Sequence, residues 1–547
     1  LTRLFPRFPV SDFLTSFFKP DDEAFQKRSV NVIPLNSLFE APAVKQDRDA
    51  AFFSYTRSIC PTCKKLIDAH IVLRDDRVWM QKKCPQHGYF EVEISSDAEY
   101  YVKSLSYTKP GTMPYRFATK VEHGCPLDCG LCEDHLQHTC SPILEINDIC
   151  DLTCPVCIVR NQQRYSMSLD DFKQSVDFLV AAEGELPIML LSGGEPTLHP
   201  QFFEFCDYVL RGPHAGKIKR LLISTHGRRI ANNPKFAEQF KAGGMYASLQ
   251  FDTLRAGVYP KTRGVELIDM KMKCIEVIKE LDIPTVIVPT VSKGDNSDEL
   301  GALVEFGLEL EQCSSIVIQP MAHTGDGGDG YHGNPAGHRL TMPEIHQLIE
   351  EQTGWFKRDY FHPVPCSHPS CYTATYLFRM NDGKYVPLPE FVNIRQYLDA
   401  MANRAIIRSD DQLEKMILDS ITSLWSATKV GEDSEVILAS LKTFLKDTFN
   451  SRNPLSASDI ERRTEARSKA LFIHNFMDPW DLDVARLKKC CTHYVMPDGR
   501  LMPGCSYNNL YRHKDERFFP EAEPVSPMPV KVDAGPALVQ IMGRGSA

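Results

Sequence analysis

The chain of 547 residues holds 18 cysteines, and most of them fall in closely spaced groups. Asn147-Asp-Ile-Cys150-Asp-Leu-Thr-Cys154-Pro-Val-Cys157 puts three thiols on one loop with C-x3-C-x2-C spacing, directly after a strand-like apolar run. Cysteine thiolates are the usual protein ligands of iron–sulfur clusters. Three of them on one loop can hold three irons of a [4Fe–4S] cluster and leave the fourth iron open. Leu190-Leu-Ser192-Gly193-Gly194-Glu195-Pro196 ends the next strand candidate. Two glycines at a strand end let the backbone approach a ligand closely.

These two segments, in this order, describe a catalytic centre. An open iron can chelate the amino and carboxylate groups of S-adenosylmethionine (SAM). Cys150, Cys154 and Cys157 are then the catalytic ligands, with Gly193 and Gly194 at the SAM amino group and Glu195 nearby. An ordinary strand–helix turn is the plain alternative for the glycine segment.

Three further sets of donors stand out. Cys125, Cys129 and Cys132 repeat the catalytic spacing, with Cys140 close behind and no glycine segment to match. Four thiolates would close a cluster against SAM, giving an auxiliary [4Fe–4S] site, with zinc as the structural alternative. Cys60, Cys63, Cys84 and His87 form two short pairs on hairpin turns. They suit one tetrahedral ion, zinc or a rubredoxin-like iron. Cys366, Cys371, Cys490, Cys491 and Cys505 supply four ligands for a second auxiliary cluster. Adjacent cysteines rarely both bind one cluster, so one of Cys490 and Cys491 is expected to be spare. Cys206, Cys274 and Cys313 sit singly in apolar stretches and read as core.

The elements that must position these groups form an α/β pattern. Strand candidates at Ile143–Asn147, Ile188–Ser192, Arg220–Thr225, Ala247–Asp252, Thr285–Thr290 and Ser315–Met321 alternate with amphipathic stretches such as Leu169–Ala182 and Asp269–Leu281. Such alternation implies a parallel sheet with helical crossovers, and six units make an incomplete, (β/α)6 barrel. The expected organisation has an N-terminal arm over 1–54 and a metal-binding knuckle over 55–120, with a hairpin turn at Asp75–Asp76. An auxiliary-cluster segment at 121–141 and the barrel at 142–340 follow. A helical C-terminal domain with the second auxiliary cluster covers 341–520, including a hairpin at Asp498-Gly499, and an irregular tail covers 521–547. The Gly-rich run at 324–336 reads as a flexible connection.

The net charge is −9 and the apolar fraction 43%. Mild acidity without a Lys/Arg stripe argues against a nucleic-acid partner. No apolar run is long enough to span a bilayer, and no signal-peptide pattern is found. Close cysteine pairs suit metal binding in a reducing compartment, so a cytoplasmic location is expected. Five phenylalanines among Arg3, Arg7 and Lys19 at the start could lie on a membrane surface. An arm packing on its own domain is the simpler reading, because two prolines interrupt a helix.

The cluster loop and the glycine segment together resemble the radical SAM superfamily. The resemblance implies a radical SAM barrel and further SAM contacts at later strand ends: Ser224 and Thr225, Gln250 and Asp252, and Thr290. The wider set of motifs is narrower in kind: CPTC…CPQHG, HGCPLDCGLCEDH, NDICDLTCPVC, SGGEPT and CC…DGRLMPGCSYN. It resembles the archaeal tetraether lipid synthases (macrocyclic archaeol and GDGT synthases) and the related class D radical SAM methyltransferases. The first resemblance implies hydrogen abstraction from lipid tails, carbon–carbon bond formation between two chains, and a lipid substrate. The second implies methylation of a pterin or another small ring compound. Both imply an electron donor such as a ferredoxin, a flavodoxin or a reductase. No D-x-H-x-x-G signature for cobalamin is found. A noncatalytic electron carrier is the reading from another class, and the two intact motifs speak against it.

Overall fold

A computed structural model describes residues 48–159, 161–325, 339–402, 411–426, 432–449 and 455–520. The Phe-rich start, nearly all of the 324–336 run and the tail at 521–547 lie outside the described residues.

The first sheet is antiparallel, in the order β1 (Ala51–Ile59), β2 (Leu66–Arg74), β3 (Arg77–Cys84) and β4 (Gly88–Ser95). Asp75 and Asp76 turn β2 into β3 with φ of 52° and 56°. Two consecutive positive φ values match the right-handed twist of a tight hairpin, and Asp tolerates them better than most residues. The turns at Cys60–Lys65 and Cys84–Gly88 lie between β1 and β2 and between β3 and β4. Both donor pairs of the first set are thereby carried on turns of one small sheet.

The second sheet holds the expected strands: β5 (Ser141–Asn147), β6 (Leu186–Gly193), β7 (Ile218–Thr225), β8 (Tyr246–Gln250), β9 (Thr285–Val288) with β10 (Thr290–Val291), and β11 (Cys313–Pro320). Each of β5–β9 is parallel to the next, and β11 is parallel to β9. Helices Leu169–Glu183, Phe202–Arg211, Pro234–Gly243, Ile268–Leu281 and Leu300–Glu309 make the crossovers. They bury their apolar faces on the sheet. Phe172 and Phe205 of adjacent helices stack with ring centroids 4.2 Å apart.

The sheet does not stop at six parallel strands. After β12 (His362–Pro363), β13 (Tyr372–Arg379) and β14 (Tyr385–Pro387), β15 (Ser468–His474) adds parallel to β11. β16 (Thr492–Val495) adds parallel to β5, and β17 (Leu501–Pro503) forms a hairpin with it. The C-terminal segment therefore extends the barrel wall on both edges. The apolar alternation of β15 and β16 is too short to reveal this from sequence, because long-range pairing decides which sheet a short strand joins. Between β14 and β15, helices Asp411–Ser426 and Glu432–Thr448 pack Met416, Ile417, Ile437, Leu441 and Phe444 into a separate apolar cluster with Phe378 and Leu388.

Candidate active site

The loop bearing Cys150, Cys154 and Cys157 leaves the end of β5 and is fastened by backbone. Asp148 closes its far end: the carboxylate accepts from the amides of Gln162, Arg164 and Tyr165 at 3.0, 2.7 and 2.6 Å. The glycine segment at the end of β6 fastens the near end. Gly194 N–H donates to the Asn147 carbonyl at 2.9 Å and Glu195 N–H to the Ile149 carbonyl at 2.7 Å. A Cβ on Gly193 would strike the Asn147 carbonyl, and Gly193 has φ +133°. A Cβ on Gly194 would sit 2.6 Å from the Ile149 carbonyl carbon. The two glycines are thus required by the approach of the cluster loop itself. That constraint comes in addition to the ligand approach expected from sequence, since both glycines also line the cavity with the thiols.

All three thiols line one large cavity. Burial pushes the Cys150 thiol up to about 12. A metal cation must displace the proton to bind there, as thiolate ligation requires. Three converging thiols on one loop fit three irons of a cluster and leave the cavity side for a fourth.

The strand-end residues divide into two groups. Gly193, Gly194, Ser224, Thr225, Gln250 and Thr290 line the same cavity as the thiols. Glu195 borders it, but its carboxylate is committed to the chain. It accepts from Thr197 Oγ1 at 2.6 Å, Thr225 Oγ1 at 2.8 Å and the His226 amide at 3.0 Å. Asp252 does not reach the cavity. It is fully buried behind the strand ends, where it holds Arg263 (2.6 and 2.9 Å) and accepts from the Thr290 amide at 2.9 Å. Burial alone would raise the Asp252 carboxyl; Arg263 overrides it and holds it below the usual range. The residue that Asp252 presents is Arg263, which donates to Thr290 Oγ1 at 2.9 Å and lines the cavity with Cys154. Sequence reasoning missed Arg263, since no motif spacing marks a residue on the short helix Tyr259–Arg263. His226, next to Ser224 and Thr225 in the segment that the resemblance places near SAM, also lines the cavity. Its Nε2 lies 2.6 Å from Asp151 Oδ1, and Arg228 reaches the same carboxylate at 2.6 Å. Those partners hold the Asp151 carboxyl well below its usual range.

The cavity has a volume of about 520 Å³ and runs from the cluster loop through the barrel. Its far wall is apolar, with Phe378, Leu388, Met416, Ile417, Leu441 and Phe444. The Arg220–Glu465 ion pair borders it.

Residues 144–307 match the family model described as "Radical SAM superfamily". The chain carries a radical SAM domain. Residues 52–96 match "HMPTM N-terminal zinc ribbon domain". Among curated proteins, the chain is 29% identical over 495 residues to "7,8-dihydro-6-hydroxymethylpterin dimethyltransferase" of Methanocaldococcus jannaschii, covering 85% of this chain and 95% of that protein. It is 28% identical over 212 residues to "AdoMet-dependent heme synthase" of Methanosarcina barkeri, covering 38% of this chain and 58% of that one. A solved radical SAM methyltransferase from Sphaerobacter thermophilus aligns with 10% identity and a TM-score of 0.25, over 56% of this chain and 74% of that one. The radical SAM domain brings a [4Fe–4S] cluster and SAM as its cofactors, and the zinc ribbon brings a further metal.

In the zinc ribbon, donor atoms of Cys60, Cys63, Cys84 and His87 all lie within 4.8 Å of one another. His87 Nδ1 is 3.6 Å from Cys60 Sγ and 3.5 Å from Cys84 Sγ. The four fit one tetrahedral ion. The nine cysteines flanking the radical SAM domain are sorted differently from the sequence expectation. Cys125, Cys129 and Cys132 stay together, and burial is the first cause that raises each thiol. Cys140 leaves that set. It lies with Cys366 and Cys491, because β16 runs beside β5 and brings Cys491 against it. Cys371, Cys490 and Cys505 border a second, small cavity beside Arg486. Cys491 lines this small cavity as well as packing against Cys140 and Cys366. Cys206, Cys274 and Cys313 are core residues, each at most 1% exposed.

Proposed function

We propose that this chain is a radical SAM enzyme that forms a carbon–carbon bond at an unactivated carbon of a substrate held in the barrel cavity. The observation that carries this reading is the opening of Cys150, Cys154 and Cys157 onto one enclosed space shared with the strand-end polar groups. When bound there, the cluster and SAM supply a 5′-deoxyadenosyl radical that takes a hydrogen atom from the substrate. The chain's own residues do the rest. Gly193 and Gly194 hold the cluster loop in place. Arg263, fixed by Asp252, offers a guanidinium to the SAM carboxylate. Glu195 fixes Thr225 and the His226 amide at the cavity edge. The apolar wall keeps water from the reacting carbon. Cys125, Cys129 and Cys132, the Cys140 set and the Cys371 set are candidate ligands of auxiliary clusters, and an electron donor is the required partner.

Methyl transfer to carbon of a reduced pterin or a similar ring is the leading substrate reading. It is supported by the printed name of the relative that is matched over nearly its whole length. A second reading, coupling of two lipid chains, is favoured by one observation: the far cavity wall is apolar. Among the described residues, the carboxylates lining the cavity, Glu195 and Glu465, are both paired within the chain. The test is anaerobic turnover with SAM and a reductant on a 6-hydroxymethyl dihydropterin, with methylene-tetrahydrofolate or a related one-carbon donor to supply the methyl carbon, and, separately, on an isoprenoid or fatty-acyl lipid without that donor. Mass gain by methyl groups supports the first reading. A cross-linked lipid that has lost two hydrogens supports the second. If neither substrate changes deoxyadenosine yield or mass, the proposal fails for both classes.

A further inference from the structure

We propose that His138 is the fourth protein ligand of an iron–sulfur cluster held by Cys140, Cys366 and Cys491. The inference rests on the reading of these thiols as cluster ligands and adds a residue to it.

Three elements bring the site together. Cys140 precedes β5 and Cys491 precedes β16. The amides of Cys140 and Ser141 both donate to the Cys491 carbonyl, at 2.9 and 3.0 Å. Cys366 follows β12 and packs against both. All three thiols are buried against one another.

His138 is already set as a metal ligand would be. Its Nε2 lies 3.4 Å from Cys140 Sγ. Its Nδ1 faces Glu183 Oε2 at 3.3 Å. The Glu183 side chain is 1% exposed and is fixed through Oε1, which accepts from the Thr139 amide at 2.9 Å. A carboxylate behind one ring nitrogen holds the proton there and leaves the other nitrogen's lone pair for a metal. The His-x-Cys spacing is short enough for both side chains to face one site. All three thiols line the radical SAM cavity.

A neutral imidazole in place of a thiolate makes the cluster less negative and raises its potential. The experiment uses full-length protein carrying Cys150→Ala, Cys154→Ala and Cys157→Ala, reconstituted anaerobically, reduced and free of SAM. Pulsed EPR compares protein grown with 14N- and 15N-histidine. The expected result is a histidine nitrogen coupling that changes with the isotope. It should be lost in His138→Ala, and His138→Cys should keep the iron content but lower the midpoint potential. Absence of nitrogen coupling in the labelled parent overturns the proposal without any variant at His138. Retention of the coupling in His138→Ala overturns it as well. Absence of any auxiliary cluster in the parent, by iron and sulfide content, would instead sink the reading of the three thiols as cluster ligands.

Discussion

Substituting Gly194 by Ala tests whether the glycine segment exists to seat the cluster loop. The added Cβ would lie 2.6 Å from the Ile149 carbonyl carbon, 2.9 Å from the Asp148 carbonyl carbon, and closer still to the Ile149 oxygen. Carbon atoms in contact prefer about 3.5–4.0 Å, so the loop must retreat by roughly 1 Å. The retreat pulls on the Glu195–Ile149 and Gly194–Asn147 hydrogen bonds and displaces the residue next to Cys150. Overpacking of this kind costs about 1–3 kcal/mol, so the fold survives. The site does not tolerate it as well, since a ~1 Å misplacement can cost about 100-fold in rate. The expected outcome is a folded protein that loses the iron of the catalytic cluster, with deoxyadenosine formation reduced about 100-fold or more. Gly383→Ala is the control. Gly383 has φ +90° but nothing within 4 Å of its Cβ position, so only backbone strain of about 1 kcal/mol follows. Full iron content and full deoxyadenosine formation in Gly194→Ala would refute the clamp argument.

Other consequences can be checked separately. Asp252→Ala strands the buried Arg263 guanidinium and should cost about 3–5 kcal/mol in denaturant unfolding. Removing Arg263 as well should recover part of that loss, and additive losses would show that the pair is not coupled. His346 is buried and neutral, with burial pushing it down to about 3. An unfolded histidine takes up its proton below about 6.5. Stability should therefore fall as pH drops from about 6 to 4, by up to about 1.4 kcal/mol per pH unit from this residue. His346→Gln should flatten the curve over that window, and an unchanged slope in melts at several pH values would contradict the assignment. Cys84→Ser should remove one bound ion per chain by metal analysis and expose residues 50–96 to protease, whereas an unchanged metal count would remove the ribbon site.

Much of the site was legible because its chemistry is local in sequence. Cys150, Cys154 and Cys157 share one loop, and Gly193-Gly194 sits at the end of the next strand. Alternation of apolar runs marked the six central strands, and Asp75–Asp76 and Asp498-Gly499 marked the β2–β3 and β16–β17 hairpins. What stayed hidden depends on contacts between distant segments. Cys140 reads as the neighbour of Cys132, yet the pairing of β5 with β16 hands it to Cys491. The glycines were assigned to a ligand; the close approach of the cluster loop to them is a second constraint that only the folded structure shows. Asp252 reads as a polar strand end, but an arginine eleven residues on takes its charge and replaces it at the cavity. Burial, not residue type, separates the two, and burial is a property of the assembled sheet.

The most direct measurement is deoxyadenosine formation from SAM by anaerobically reconstituted, reduced protein, compared with Cys154→Ala, alongside Mössbauer spectroscopy of the catalytic cluster with and without SAM. The account predicts SAM cleavage by the parent, none by the variant, and one iron site whose spectrum shifts when SAM binds. Deoxyadenosine from the Cys154→Ala protein, or four iron sites indifferent to SAM, would contradict it.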